Sequence, residues 1–464
     1  MKKSTYPIAA IVLLMLTMGC SESSEGQISI GSTAVDTSTL ISGLDTPWEI
    51  LWGPDNFLWF TERQGTVSRM DPANGQRTII LTIDDVFEYG EGGLLGMALH
   101  PDFQVQPYVY LVYNYTSGSS IKERLVRYSW DGNSLANQET LIEGISANSY
   151  HDGSRLVFGP DGKLYMSTGD AGNTGNSQNM NSLSGKILRI NPDGSVPDDN
   201  PFSGSYVWSS GHRNAQGLTF SPDGILYSSE HGPDTDDELN IIETGRNYGW
   251  PQVAGFCDLP AETDFCNENN VREPLVVWTP TLAVAGISHY DHPDIPEWQN
   301  SILMTSLKAG KLVSLKLSGN GMAVVEQADW FVNHYGRLRD ICVSPDGRVF
   351  LAVSNRDGRG TPRPGDDRIV EIRAVNSTGI STIQEENNTL KIVPNPVNGE
   401  ATVHFSNGLK ATEYAVYDQW GKILTRDKVN SMLLRINTGN FSSGNYFLKI
   451  TGLSGTASSA FIVP

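Results

Sequence analysis

The chain has 464 residues, a formal net charge of −19 and four cysteines. That length holds one large domain and one small one around a substantial core, while the acidic balance excludes nucleic acid as a partner, because such binding needs a basic footprint. Any anion bound here must be met by a local gathering of cations.

In chain order, MKKSTYPIAAIVLLMLTMGC opens with two lysines and an apolar run from Ile8 to Leu16. The run is too short to span a bilayer and reads as an export signal over residues 1–20. Its end, Leu16 to Cys20, resembles the lipobox of bacterial lipoproteins, which implies a lipid anchor at Cys20; an ordinary cleaved signal is the alternative. No other segment is apolar enough to span.

An internal repeat follows. "WGPDNFLWFTERQGTVSRMDP", "HPDFQVQPYVYLVYN", "FGPDGKLYMSTGD…GKILRINPDG", "FSPDGILYSSEHG" and "VSPDGRVFLAVSNRDG…DRIVEIRA" share one plan, a Pro-Asp-(Gly) turn leading into a short strand of alternating apolar residues and a polar loop. The first four come at intervals of roughly 50–60 residues, near the upper end of propeller periods. The longer gap before the last contains "NSILMTSLKAGKLVSLKLSGNG", which keeps the strand–loop–strand plan without the turn. Six such units predict an all-β fold, a six-bladed β-propeller over residues 35–375. A β-sandwich has similar turns but would not explain a repeat of this length. Loops from every blade converge on a propeller's axis, so the function is sought there.

Residues 376–388 form a polar linker. Residues 389–464 carry four strand-like segments, predicting a small C-terminal β-sandwich. Its "PNPVNGE", "VYDQWGKIL", "SSGNYFLKI" and terminal "FIV" resemble the C-terminal sorting domain of proteins exported by the type IX secretion system. That implies the secretion machinery as a partner and a final place in the periplasm, at the outer membrane, on the cell surface or outside the cell. A carbohydrate-binding or other adhesive module is the alternative. Cys257 and Cys266 bracket "DLPAETDF" and read as a loop disulfide in an exported protein, since the other ligands of a Cys metal site are missing nearby; Cys342 reads as a buried thiol.

The stretch from Ser209 to Asn240, "SSGHRNAQGLTFSPDGILYSSEHGPDTDDELN", has an Arg-Asn pair at one end and a Gly-Pro followed by carboxylates at the other. One end suits an anion and the other a cation, as for a ligand that is both anionic and metal-chelating. In sequence order, "EGGLLGMALHPDF", "SYHDGSRLVFGPDGKLY", "GHRNAQG", "SEHGP", "SLKAGK" and "GRLRDICVSPDG" resemble the soluble quinoprotein glucose/sorbosone (aldose sugar) dehydrogenase family, and the resemblance covers nearly the whole propeller.

The resemblance implies the cofactor pyrroloquinoline quinone (PQQ), whose three carboxylates call for cations around its rim. Arg213, Asn214, Lys308, Arg337 and Arg339 match the family's cofactor-binding positions, and arginine suits them because its planar fork meets a carboxylate in two parallel hydrogen bonds. Glu91 stands where some members have a Gln that contacts substrate or cofactor, and is counted with this set. The resemblance also implies a calcium ion held by the carbonyls of Gly232 and Pro233, which acts as a Lewis acid on the quinone. His231 precedes them where some members have Gln. Asp236, Asp237 and Glu238 are candidates for a second calcium, or form a solvated acidic loop. His151 matches the general base that takes the C1 hydroxyl proton of the sugar, and Asp170 the carboxylate that orients it. Tyr150 and Ser154 depart from the residues frequent at their positions, which bears on substrate fit. Of the other histidines only His212, beside Arg213, is expected near the site; His100, His289, His292 and His334 read as turn or packing residues.

The expected activity is oxidation of an aldose to its lactone, with electrons passing to an external acceptor, because no CxxCH haem-attachment motif is present. Two alternatives belong to other classes. A calcium-dependent sugar lactonase on the same architecture would need carboxylates and Asn around an axial metal rather than cations from three blades. A non-catalytic propeller would bind glycans or proteins at the surface and tolerate loss of His151.

Overall fold

The computed structural model describes residues 28–375, 390–404, 411–418, 422–429, 433–452 and 455–464. The export signal with Cys20 and the linker lie outside the described residues. The chain divides into two compact units, Met1–Asn376 and Ser377–Pro464.

The first unit is a six-bladed β-propeller. Pro47–Trp52, Leu58–Glu62, Thr66–Met70 and Arg77–Thr82 form the first four-stranded antiparallel blade. The innermost strands of the remaining blades are Leu94–Leu99, Leu156–Phe158, Ala215–Phe220, Val284–Tyr290 and Leu338–Val343, and neighbours among these pack side by side around the axis until the last meets the first.

The Pro-Asp-Gly turns make this regular. Each joins the first strand of a blade to the second and is closed by the same backbone pair: Gly53 N–H to Phe57 O at 2.7 Å, Gly159 to Lys163 at 2.8 Å, Ser221 to Ile225 and Ser344 to Arg348 at 2.9 Å. The turn aspartate caps the returning strand, as when Asp161 Oδ1 accepts the Lys163 N–H at 3.0 Å, and the glycine takes the left-handed conformation the turn requires, φ +72° at Gly162. Between blades, apolar faces interlock; Trp59, Val67, Leu94, Met97, Val109 and Leu111 bind the first blade to the second.

The ring is closed from both ends of its sequence. Thr33–Ser42 pairs antiparallel with Arg368–Ala374, with Thr37 opposite Ile372, so an N-terminal strand becomes the fourth strand of the last blade, and the short strand Ile28–Ile30 pairs on its outer side. Glu297 fastens the entry to this strand, accepting from Ser32 N–H at 2.7 Å and Thr33 Oγ1 at 2.7 Å.

A buried charge cluster lies among the innermost strands. Arg155 Nη1 is 2.6 Å from Glu49 Oε1 and 2.9 Å from Asp340 Oδ2, and its guanidinium carbon lies 4.3 Å from the Trp48 ring. Three blades are thereby tied by one cation. Burial pushes the Cys342 thiol well up, which keeps it protonated and inert. Cys257 and Cys266 are disulfide-bonded, which ties the last turn of the short helix Pro260–Glu268 to the segment before it; the Glu262 carboxylate accepts the Leu259 N–H at 3.1 Å.

The second unit is a β-sandwich. Lys391–Val393, Glu400–His404 and Leu433–Asn437 form one sheet; Ile423–Lys428, Ala411–Asp418, Gly444–Gly452 and Gly455–Val463 form the other. Val403, Val416, Leu448, Ile450 and Phe461 fill the space between. Among the described residues, no helix is long and apolar enough to cross a membrane.

Candidate active site

The first strand of each blade runs from one end of the axis to the turn that joins it to the second strand at the other. The starts of these strands and the loops before them surround a cavity of about 620 Å³. Trp48, Leu95, Gly153, Gln216, Ala283 and Arg339 each come from a different blade and line it, so residues far apart in sequence share one pocket.

His151 borders the cavity, and its Nδ1 lies 2.8 Å from Asp170 Oδ1. Asp170 is 1 % exposed, and its remaining capacity is used: Oδ1 also accepts the Gly172 N–H at 2.7 Å, and Oδ2 the Trp250 indole N–H at 2.9 Å. A carboxylate so fixed sets the neutral ring with its proton on Nδ1, leaving Nε2 as an acceptor. The loop is held in a sparsely populated conformation. His151, Ser154 and Ala171 have φ of 63°, 75° and 56°, which costs on the order of 1–3 kcal/mol each. Position 169 must be glycine, because a Cβ there would stand 1.8 Å from the His151 carbonyl oxygen.

Six cations line the cavity: Arg63, Arg213, Lys308, Arg337, Arg339 and Arg359. Arg337 Nε binds Asp357 Oδ2 at 2.7 Å, while Arg339 Nη2 is 3.8 Å from the same oxygen and its Nη1 donates to Gln216 Oε1 at 3.0 Å. Burial pushes Asp357 up, but Arg339, Arg337 and backbone bonds hold it below the usual carboxylate range. Among the described residues Arg213 and Lys308 have no carboxylate partner; Arg213 Nη1 donates to the His231 carbonyl at 3.2 Å, and Lys308 Nζ to Thr281 Oγ1 at 2.9 Å. Burial lowers Arg213, and brings Arg339 to about 10, so both stay charged at neutral pH. The Nε atoms of Arg213 and Arg339 are buried without a hydrogen-bond partner. An acidic protein holding partly unpaired guanidinium groups at one cavity has built a site for an anion.

On the same wall stand His231, Gly232, Pro233 and Asp237. The His231 Nε2–H donates to Val284 O at 2.6 Å, and burial, with Arg339 and Arg213, lowers its pKa to about 3, so the ring is neutral. Asp237 accepts the Gly232 N–H at 2.9 Å and the Val284 N–H at 3.3 Å, and burial raises it. Among the described residues no backbone N–H donates to the carbonyls of Gly232 and Pro233. Oxygen donors of this kind fit a hard divalent cation. No cluster of three His, Cys, Asp or Glu side chains with metal-binding spacing occurs among the described residues.

The structure brings His151, Arg213, Lys308, Arg337, Arg339, Glu91, Gly232, Pro233 and Asp237 to one cavity. Three predicted residues stand behind its wall. Asp170 does not line the cavity but bonds His151, which does. Asn214 is 1 % exposed, and its Oδ1 accepts the Gly153 N–H at 3.1 Å and the Gln216 amide at 3.1 Å. Glu238 lines a separate void of about 10 Å³ that shares Gly232 and Pro233 with the cavity; burial and Glu230 push it up to about 8. His212 is a correction: it is fully buried, stacks on Tyr248 and does not reach the cavity, which His231 lines instead. Asp152, Gln216, Asp357 and Arg359 are lining residues that the sequence reading missed. Asp152 and Gln216 lie inside motifs already quoted; nothing local marks Asp357 or Arg359. Arg359 Nη2 is 2.9 Å from Glu91 Oε1, joining a loop of the last blade to the loop that enters the second.

Residues 44–362 match the family model described as Glucose / Sorbosone dehydrogenase, and residues 391–464 that of a Secretion system C-terminal sorting domain. The chain is 31% identical over 411 residues to quinoprotein glucose dehydrogenase B of Acinetobacter calcoaceticus, covering 70% of this chain and 86% of that protein. It is 30% identical over 342 residues to aldose sugar dehydrogenase YliI of Escherichia coli, covering 70% and 91%. The PQQ-bound structure of aldose sugar dehydrogenase from Streptomyces coelicolor superposes with a TM-score of 0.64 at 37% identity, covering 73% of this chain and 98% of that one.

Proposed function

We propose, because this chain belongs to the glucose/sorbosone dehydrogenase family, that it is a PQQ- and calcium-dependent aldose dehydrogenase that oxidises the C1 hydroxyl of a sugar to the lactone. The observation that carries this reading is the gathering of six cations, two without a carboxylate partner among the described residues, on one cavity beside the His151–Asp170 pair of a chain with net charge −19.

The residues fit the group. Arg213, Lys308, Arg337 and Arg339 would hold the carboxylates of PQQ, with Asn214 fixing the turn behind them. Gly232 and Pro233, with Asp237 beside them, would hold calcium through oxygen; Glu238 is set back from that place. When bound, the calcium-polarised quinone supplies a two-electron acceptor for a hydride. His151 Nε2 takes the proton of the C1 hydroxyl, and Asp170 stabilises the imidazolium that results, as its second oxygen is already committed to Trp250 and cannot swing away. Glu91, paired with Arg359 at the rim, faces the sugar hydroxyls. An external acceptor then removes the electrons. The C-terminal unit is the export determinant, read by the type IX machinery, and the N-terminal segment ending at Cys20 would precede it as signal and lipid anchor.

The test is reconstitution of the purified chain with and without PQQ and calcium, following dye reduction across a panel of aldoses. Sugar-dependent reduction that requires both additions and is lost in His151→Ala is the expected result. A chain that fails to bind PQQ with calcium in excess overturns the reading and leaves a lactonase or a glycan-binding propeller.

A further inference from the structure

We propose that Glu230 is a positioning residue that locks the anion-binding turn and the carbonyl turn of the cavity into one unit. The inference rests on the function proposed above and concerns a side chain that reaches neither cofactor nor sugar.

Glu230 is 3 % exposed and ends the strand Leu226–Glu230. Its Oε1 accepts the backbone N–H groups of both Arg213 and Asn214. Its Oε2 lies 2.8 Å from His212 Nδ1; His212 Nε2 in turn lies 2.8 Å from Ser209 Oγ, and the ring stacks on Tyr248 with centroids 4.5 Å apart. Among the described residues no lysine or arginine side chain bonds this carboxylate, so backbone N–H groups and one imidazole offset the cost of burying it. Such a carboxylate is an adapter for backbone geometry.

What it joins is specific. The residues that follow Glu230 are His231, Gly232 and Pro233, and two more bonds cross the same gap: His231 N–H to Asn214 O at 3.2 Å, and Arg213 Nη1 to His231 O at 3.2 Å. The side chain of Glu230 fixes the turn that carries Arg213, while its own main chain launches the turn that offers the Gly232 and Pro233 carbonyls. Movement of either turn moves the other. PQQ affinity and calcium affinity are therefore expected to depend on this one carboxylate.

The experiment measures PQQ binding by equilibrium dialysis and the calcium midpoint for that binding, apart from turnover, on the full chain and its Glu230→Gln and Glu230→Ala variants. Gln keeps an acceptor for both N–H groups; Ala does not. The expected result is that E230A weakens PQQ and shifts the calcium midpoint together, each at least tenfold, with the sugar KM at saturating PQQ and calcium within twofold, and that E230Q returns both to within threefold of wild type. A folded E230A with wild-type affinities overturns the proposal, as does an equal loss in E230Q, which would make charge rather than hydrogen bonding the cause. Should E230A not fold, Glu230→Asp withdraws the acceptor by one methylene: a joint partial loss supports the coupling, and wild-type affinities refute it. A wild-type chain that does not bind PQQ overturns the underlying function as well, whereas normal wild-type binding with an indifferent E230A sinks the positioning role alone.

Discussion

His151 Nδ1 and Asp170 Oδ1 are 2.8 Å apart, and the carboxylate that orients the imidazole is itself pinned by Trp250 and by the Gly172 N–H. This rigidity defines the first prediction. Asp170→Asn should lower kcat by about 10²–10⁴-fold, the usual worth of positioned acid–base chemistry, because the imidazolium loses its counter-charge. PQQ binding should be unchanged. A variant with wild-type kcat would remove Asp170 from the mechanism.

Arg213 and Lys308 reach the cavity without carboxylate partners, so their charge is available to a ligand. A hydrogen bond to a charged group is worth about 1.5–3 kcal/mol. Arg213→Ala and Lys308→Ala should each weaken PQQ about 10–100-fold, measured by titration of the calcium-loaded chain, with smaller losses at high salt. Losses of the same size at low and high salt would contradict an electrostatic role.

The Glu91–Arg359 pair is exposed, and such pairs add little to stability, about 0–1 kcal/mol. Both residues line the cavity, and under the proposed function the pair would face the sugar. Glu91→Ala should raise KM for the preferred aldose about tenfold, with thermal stability essentially unchanged. If KM holds while stability falls, the pair is structural.

Burial pushes the Asp152 carboxyl up to about 7, with Glu91 and Asp170 adding to the rise and Asn148 and Asn114 opposing it. Between about 4 and that value the native state holds a proton that the unfolded chain has released, so stability must fall as pH rises through the window, by at most about 4 kcal/mol in all. Asp152→Asn removes this proton. Its urea midpoint should change less between pH 5 and pH 7.5 than that of the wild type; equal changes would exonerate Asp152.

Arg155 is the one cation between Glu49 and Asp340, both of which burial drives up. Arg155→Met leaves two buried carboxylates facing each other, and should destabilise the propeller by about 3–5 kcal/mol in denaturant titration at neutral pH. The loss should shrink in acid, where the carboxylates take up protons.

How much of this was legible in the sequence depended on distance along the chain. The Pro-Asp-Gly turns were readable because their bonds close within a few residues, as in Gly159 to Lys163, and five of the six blades announced themselves this way. His151, Arg213, Arg337 and Arg339 were readable through motifs. Thr33–Ser42 was not readable as the fourth strand of the last blade, because its partner lies at the far end of the propeller. Arg359 was missed because only the fold brings it to Glu91. Asn214, which matches a cofactor-binding position, and Glu238, a candidate calcium ligand, carry no sign of depth in the sequence, and only packing shows that Asn214 spends its oxygen on Gly153 and Gln216.

The pairing of Thr37 with Ile372 also sets the order in which this molecule can come into being. Five blades are each made from contiguous chain and can assemble as they emerge from the ribosome, but the ring has two raw sheet edges until residues 368–374 appear. Non-local pairing of that span is slow, since the closure entropy is lost before any contact repays it. The last act of folding is thus a meeting of beginning and end, and a chain cut short of residue 368 should accumulate as an open, sticky arc rather than a smaller working enzyme.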